Sequence, residues 1–411
     1  MATVVLLGTF DTKGAEYGWL RDRVAELGCR PYLVDAGTFS GDTGIADVSS
    51  REVAEAAGAD IEALRRGGDR GAAMRAMAGG AATIARRLHA RGELDALLAV
   101  GGSGGSSVAA RAMAALPVGV PKLLVSTMAS GDVRPYVGEV DVTLMYSVVD
   151  IAGINSISAR VLGNAVAAAA GMARAYAARE TATATGGAPL IGLTMFGVTT
   201  PAANEAREVL TGLGYEVLVF HATGSGGRAM EKLVESGLLA GVLDLTTTEL
   251  ADALVGGVLS AGPHRLEAAG RHGVPQVVST GALDMVNFGP RETVPDRFAH
   301  RNLVVHNPTV TLMRTTPEEM AKLGRVIAGK LRQASGAVEV FLPLGGVSAL
   351  DSGAGPFRDE AADAALFAAI RSGLTGTAVV VHDSPAAIND PGFGAELARA
   401  LHRLIGADTA G

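Results

Sequence analysis

A single cysteine, Cys29, stands in a chain of 411 residues. No disulfide can form within it, which fits a reducing compartment. Aromatic residues are also scarce, at 4%, so Ala, Val, Leu and Ile must build the core. Net charge is −7 with no basic stripe, and no nucleic-acid partner is expected. No apolar run suits a membrane span. The first, Ala2–Phe10, lacks the basic flank of a signal peptide. The Ala-rich stretch 165–178 is broken by Arg174 and flanked by Arg160 and Arg179, as in a packed helix. These absences point to the cytoplasm. The eight histidines show no metal-ligand spacing, and neither a Gly-x-Ser-x-Gly elbow nor a Ser–His–Asp order occurs.

What is present is glycine, 55 residues of it, at the ends of apolar runs. The length suits two domains of about 200 residues each. Short apolar runs alternate with helical patterns, the signature of parallel sheets covered by helices. The spacing predicts strands at Thr3–Gly8, Arg30–Asp35, Leu94–Val100, Lys122–Thr127 and Val142–Val148. The small, uncharged segment 181–189 reads as a linker, after which the pattern restarts at Leu190–Met195. The expected fold is α/β: two Rossmann-like domains, 1–183 and 184–411, each a mainly parallel sheet with helices on both faces. Ligands of such folds bind beyond the carboxyl ends of the strands, here in a cleft between the domains.

Three N-terminal segments suit an anion. Gly8-Thr9-Phe10-Asp11-Thr12-Lys13-Gly14 follows the first strand, where free amides and a helix dipole favour phosphate. Lys13 adds a point charge, Thr12 a hydroxyl, and Asp11 a carboxylate for Mg²⁺. An ordinary strand–helix turn with Asp11 as N-cap is the other reading. Gly101–Gly105, followed by Ser106 and Ser107, places four glycines in five residues after an apolar strand. That density is costly unless the backbone must approach a ligand, and the dinucleotide fingerprint is not met. Ser126–Asp132, with Met128, Ser130, Gly131 and Asp132, ends the fourth strand and suits a ribose, a phosphate or a metal-bound water. Asp35 closes the second strand, where it either meets a ribose hydroxyl or caps the next loop. Gly324–Lys330 has Walker A spacing, but Leu331 replaces the required Ser or Thr and the segment lies in a helical pattern. It is set aside as coincidence.

The C-terminal half gathers polar residues at predicted strand ends: Thr246–Glu249, then Asp284 and Asn287 in a Gly-rich loop, then His306 and Gly345–Asp351. Glu249, Asp284 and His306 are the candidates for contacting or deprotonating a substrate. Each also has a plain structural role open to it.

Six segments together resemble the Tm-1-like ATP-binding family, also called uncharacterised protein family 0261. They are GTFDTKG at 8–14, the turn at 101–105, Ser126–Asp132, GALDMVNF at 281–288, HNPTVT at 306–311 and PLGGVS at 343–348. The likeness spans essentially the whole chain. It implies an N-terminal half that holds ATP through Gly8, Thr9, Asp11, Thr12 and Lys13, then Gly102, Ser103, Gly104, Gly105 and Ser106, then Met128 to Asp132. Asp11 and Asp132 would position Mg²⁺. The resemblance supplies no reaction. The expected function is an ATP- and Mg²⁺-dependent enzyme acting on a small metabolite. A non-catalytic ATP-binding module that controls a partner is the alternative, and a sugar-nucleotide transferase is a more distant one. Self-association into a homo-oligomer is expected from the Ala- and Gly-rich helices.

Overall fold

A computed structural model of the chain describes residues 1–41, 44–181 and 187–408. The chain divides into two units, Met1–Gly186 and Gly187–Gly411. Of the expected linker, residues 182–186 lie outside the described residues, as does the expected boundary at 183/184.

Unit 1 runs β1 (Thr3–Gly8), α1 (Phe10–Glu26), β2 (Arg30–Asp35), α2 (Ser50–Ala56), α3 (Ile61–Gly67), α4 (Arg70–Ala90), β3 (Ala96–Gly101), α5 (Ser103–Ala114), β4 (Lys122–Ser126), α6 (Arg134–Val137), β5 (Val142–Tyr146) and α7 (Ser156–Thr181). Its five strands are ordered β2-β1-β3-β4-β5 and pair in parallel throughout. The central strands β1, β3 and β4 are buried along their whole length, while the edge strand β5 is only partly covered. That contrast follows from the sequence: unbroken apolar runs suit strands covered on both faces. One face packs against α1 and α7 through Leu20, Val24, Leu162 and Val166. The other packs against α4 and α5 through Met77, Ile84, Val108 and Ala112. The chain therefore changes face between β1 and β3, which makes their carboxyl ends the switch point of the sheet.

Both expected loops there are shorter than the glycines suggest. Helix α1 begins at Phe10, so Asp11, Thr12 and Lys13 belong to its first turn. Helix α5 begins at Ser103, with Gly102 as its N-cap.

Unit 2 runs β6 (Leu190–Met195), α8 (Thr200–Gly212), β7 (Glu216–His221), α9 (Ser225–Glu235), β8 (Gly241–Thr246), α10 (Glu249–Val255), α11 (Ala268–Arg271), β9 (Gln276–Gly281), β10 (Met285–Phe288), β11 (Leu303–Asn307), β12 (Val310–Arg314), α12 (Pro317–Leu331), β13 (Val338–Pro343), α13 (Glu360–Leu374), β14 (Val380–Ser384) and α14 (Phe393–Asp408). A six-stranded parallel sheet has the order β14-β13-β9-β8-β6-β7. Read from β7, it repeats the unit 1 order and adds one strand. The expected loop around Asp284 and Asn287 is instead largely strand: β10 pairs antiparallel with β12, and β12 with β11, as a separate sheet. Pattern reading missed β10 and β12 because four- and five-residue strands give too little alternation to register. In the segment with Walker A spacing, a Cβ on Gly324 would meet the Leu366 carbonyl of α13 at 2.6 Å. This glycine lets two helices cross.

A buried arginine holds the middle of unit 2. Arg265 is fully enclosed and donates to Asp244, through Nη1 and through Nη2 at 2.5 Å, and to Glu249 at 2.6 Å, with Glu231 3.4 Å away. Asp244 also accepts from Thr194 Oγ1 at 2.8 Å, joining β6 to β8. Removing one partner of a buried ion cluster leaves uncompensated charge. Arg265→Met is therefore expected to lower the opening free energy of unit 2 by roughly 3–5 kcal/mol. Hydrogen exchange of β8 and β9 amides measures it, with β1 and β3 unchanged as the internal control.

Candidate functional site

The C-terminal ends of β1 and β3 are tied together by one side chain. Tyr17 of α1 is fully buried, and its hydroxyl lies 2.5 Å from the Leu7 carbonyl and 3.0 Å from that of Val100. It also accepts the Val100 N–H at 2.8 Å. Burial drives its pKa above the ordinary tyrosine value. A Cβ on Gly8 would collide with the Tyr17 ring. Gly8 is thus demanded by packing beneath the turn, and it does not line the cavity described next.

Beyond this tie lies a cavity of about 500 Å³. Thr9, Asp11, Thr12 and Lys13 line it from the start of α1, and Gly102, Ser103, Gly104 and Gly105 from the start of α5. The remaining wall comes from the loop after β2 and from the stretch Leu64–Met74, including Thr38, Phe39, Arg70 and Met74. A second cavity of about 460 Å³ in unit 1, between Tyr32, Glu52, Arg87 and Arg91, touches neither glycine turn and no strand end at the switch point.

At α5 the first backbone bond runs from Ser106 N–H to Gly102 O at 2.9 Å, and no side chain caps the helix. The amides of Ser103, Gly104 and Gly105 are therefore the helix's uncommitted N-terminal donors. A Cβ on Gly104 would sit 3.5 Å from Met74 Cε and 3.9 Å from Arg70 Nη2. Both residues line the cavity, so that Cβ would enter it. The fold itself places no obstacle at this position and no positive φ requires glycine there.

The loop after β2 is fixed from three sides. Asp35 is buried, and its Oδ1 accepts from Phe10 N–H at 3.0 Å, Gly37 N–H at 2.8 Å and Ser40 Oγ at 2.9 Å. Burial raises its pKa, and these three donors oppose the rise. Asp35 holds the loop through Oδ1 and is not among the residues lining the cavity. Asp11 Oδ2 accepts Phe39 N–H at 3.1 Å. Arg65 donates to the Thr38 and Ser40 carbonyls at 2.8 and 2.5 Å. The outcome is that Phe39, 70% exposed, stands on a braced backbone at the cavity's edge.

The other N-terminal candidates lie elsewhere. Ser106 is buried, its Oγ 2.6 Å from Ser126 Oγ, pinning α5 to β4. Met128, Ser130, Gly131 and Asp132 do not line the cavity. Asp132 receives Arg134 at 2.9 and 2.8 Å, one bond to each oxygen. That hydrogen bonding holds its pKa down, at about 2. Among the described residues no three His, Cys, Asp or Glu side chains gather as a metal centre. Of the two metal candidates only Asp11 borders the cavity.

The unit 2 candidates separate. Glu249 is buried against Arg265, and its Oε1 accepts the amides of Gly224 and Gly227 at 2.6 and 3.1 Å. Asp284 is buried and accepts from Ser348 Oγ at 2.8 Å. His306 is exposed on β11. Among the described residues no hydrogen bond or ion pair joins any two of the three. Sequence reading missed Arg70, Phe39 and Met74. Their only signal was a helix start near the β2 loop, which does not show that they face the glycine turn.

Residues 2–178 match the uncharacterised protein family (UPF0261) N-terminal domain, and residues 188–405 its C-terminal domain. A UPF0261 protein of Clostridium tetani is 49% identical over 402 residues, covering 98% of both chains. One from Rhizobium meliloti is 48% identical over 406 residues, covering 98% of this chain and 99% of its own. The ToMV resistance protein Tm-1(GCR237) of Solanum lycopersicum is 50% identical over 275 residues, which is 66% of this chain but 36% of that protein.

Buried carboxyls give unit 2 a defined pH response. Burial raises Asp252 to about 7, Asp284 to about 6 and, together with the Asp351 charge, Asp363 to about 7. Unfolded carboxyls titrate near 4, so ionisation is disfavoured by folding. The stability these groups confer is complete below about pH 4 and is lost as pH rises through 6–7. Between pH 5 and 8 unit 2 should lose roughly 1–3 kcal/mol per group. Calorimetric unfolding at the two pH values checks this, and Asp252→Asn should flatten the slope.

Proposed function

The chain belongs to the uncharacterised protein family UPF0261, and from that premise we propose that unit 1 binds ATP, with Mg²⁺, in the cavity between β1 and β3. The observation that carries the proposal is the run of uncommitted amides at Ser103–Gly105, set on the cavity wall at the start of a helix of 12 residues. Such a helix start favours phosphate through both its donors and its dipole. The Thr9 and Thr12 hydroxyls and two cations, Lys13 and Arg70, border the same space. Phe39, Leu64, Ala73 and Met74 supply apolar wall for a heterocycle. The volume lies within the usual range for small-ligand sites, roughly 300–1,000 Å³.

Mg²⁺ fits this wall only as a partner of the nucleotide. It would draw most ligands from phosphate and water, as that cation usually does, with Asp11 and Asp69 as the bordering carboxylates. Bound there, the cation would neutralise phosphate charge.

Two roles for the nucleotide follow, and they belong to different classes. In the first, the protein is an ATP-dependent enzyme acting on a small metabolite, working in the cytoplasm as a homo-oligomer. In the second, it is a regulatory module whose state follows nucleotide occupancy. The second has its own support. Glu249 and Asp284, the acids best placed by sequence for catalysis, are buried among protein partners. A relative 50% identical over 275 residues is named ToMV resistance protein Tm-1(GCR237), though the match covers 36% of it.

Calorimetric titration of the full chain with Mg-ATP tests the site. Wild type should bind, and Gly104→Val, which pushes two methyls into the cavity, should lose at least about tenfold in affinity, or 1.4 kcal/mol. Wild type that ignores millimolar ATP sinks the proposal. Turnover of ATP with metabolite pools then separates enzyme from module.

A further inference from the structure

The motif GTFDTKG draws attention to Lys13 as the phosphate cation. Its geometry says otherwise. Lys13 interrupts α1 with a non-helical backbone, φ −134° and ψ 22°, and its Nζ donates to the Ile151 carbonyl at 2.5 Å. One turn on, Glu16 is buried and accepts the Gly153 N–H at 2.6 Å. The two side chains stitch the segment between β5 and α7 onto α1. To meet a phosphate, the Lys13 ammonium would have to give up a short bond to a carbonyl.

Arg70 is placed differently. It is the first residue of α4, directly after the N-cap Asp69, whose carboxylate accepts the Ala72 N–H at 2.9 Å. Its side chain is exposed and borders the cavity. Among the described residues its guanidinium has no hydrogen bond or ion pair. Arg70 Nη2 lies 3.9 Å from the point a Gly104 Cβ would occupy. The charge therefore hangs over the first turn of α5, beside the Ser103–Gly105 amides. An anion seated on those amides would meet Arg70 without disturbing any bond of the fold.

We propose that Arg70, and not Lys13, is the principal phosphate-binding cation of the cavity, with Lys13 serving as a strut for the segment at Ile151–Gly153. The proposal rests on the cavity being a triphosphate site. A guanidinium suits the role: its planar donors match phosphate oxygens two at a time, which an ammonium cannot do. Its exposure in the absence of ligand also means that binding requires no desolvation of a charge already paired.

The test is calorimetry of Mg-ATP binding to wild type, Arg70→Ala, Arg70→Lys and Lys13→Ala, with melting temperatures alongside. Arg70→Ala should weaken binding by at least about tenfold, Arg70→Lys by less, and both should melt with wild type because the side chain touches nothing structural. Lys13→Ala should lower the melting temperature and weaken ATP by a smaller factor than Arg70→Ala. Lys13→Ala losing as much affinity as Arg70→Ala, or Arg70→Ala binding like wild type, overturns the proposal. If Gly104→Val loses ATP while Arg70→Ala keeps it, the site stands and only this assignment falls. Wild type that does not bind ATP overturns both.

Discussion

Everything at the working end of unit 1 hangs on the Tyr17 hydroxyl. A parallel sheet that changes face between two strands leaves their carboxyl ends free to splay, and here one buried phenol spans them. Its oxygen contacts the Leu7 and Val100 carbonyls and the Val100 amide. The glycine turns after β1 and β3 both start one or two residues beyond those contacts. Their separation is set by the β1–β3 ladder together with a side chain that does not line the cavity. Gly8 is the reciprocal requirement, because any Cβ there would enter the Tyr17 ring.

The two units share a strand order and differ in what they do with helix starts. In unit 1, α5 presents its first amides to a cavity. In unit 2, α9 follows β7 with a similar Gly-Ser-Gly-Gly turn, yet Glu249 fills it by accepting from Gly224 and Gly227. The anion at that helix start is supplied by the chain. Glu249 is in turn neutralised by Arg265, which also binds Asp244. Burial alone would lower the Arg265 pKa, and the surrounding carboxylates outweigh that and hold it above its ordinary value. Similar sequence signals thus end in an open donor set in one unit and a closed ion cluster in the other.

That divergence marks the limit of what was legible in the sequence. The parallel sheets could be read because buried central strands are continuous apolar runs, and β1, β2 and β6 fall on the expected residues. The Gly101–Gly105 turn could be read because four glycines in five residues have few structural uses. The roles of Gly8, Asp35 and Ser106 could not, since each depends on a partner 5 to 20 positions away: Tyr17, Ser40 and Ser126. Arg70 could not be read either. Thirty-four positions separate it from Gly104, and only the packing of α4 beside α5 brings the two together. The short strands β10 and β12 vanished into an apparent loop because their pairing is tertiary.

The chemistry of the cavity wall follows from its residue types. Backbone amides, a guanidinium and two threonine hydroxyls are donors suited to negative charge, while the Lys13 ammonium is committed to the Ile151 carbonyl. The one bordering carboxylate positioned by sequence for work, Asp11, spends an oxygen on the Phe39 amide. Such a wall is suited to holding phosphate and to stabilising charge that develops on it, and it contains no histidine to carry a proton. A proton transfer at this wall would draw on water, on a bound molecule or on the carboxylates of Asp11 and Asp69.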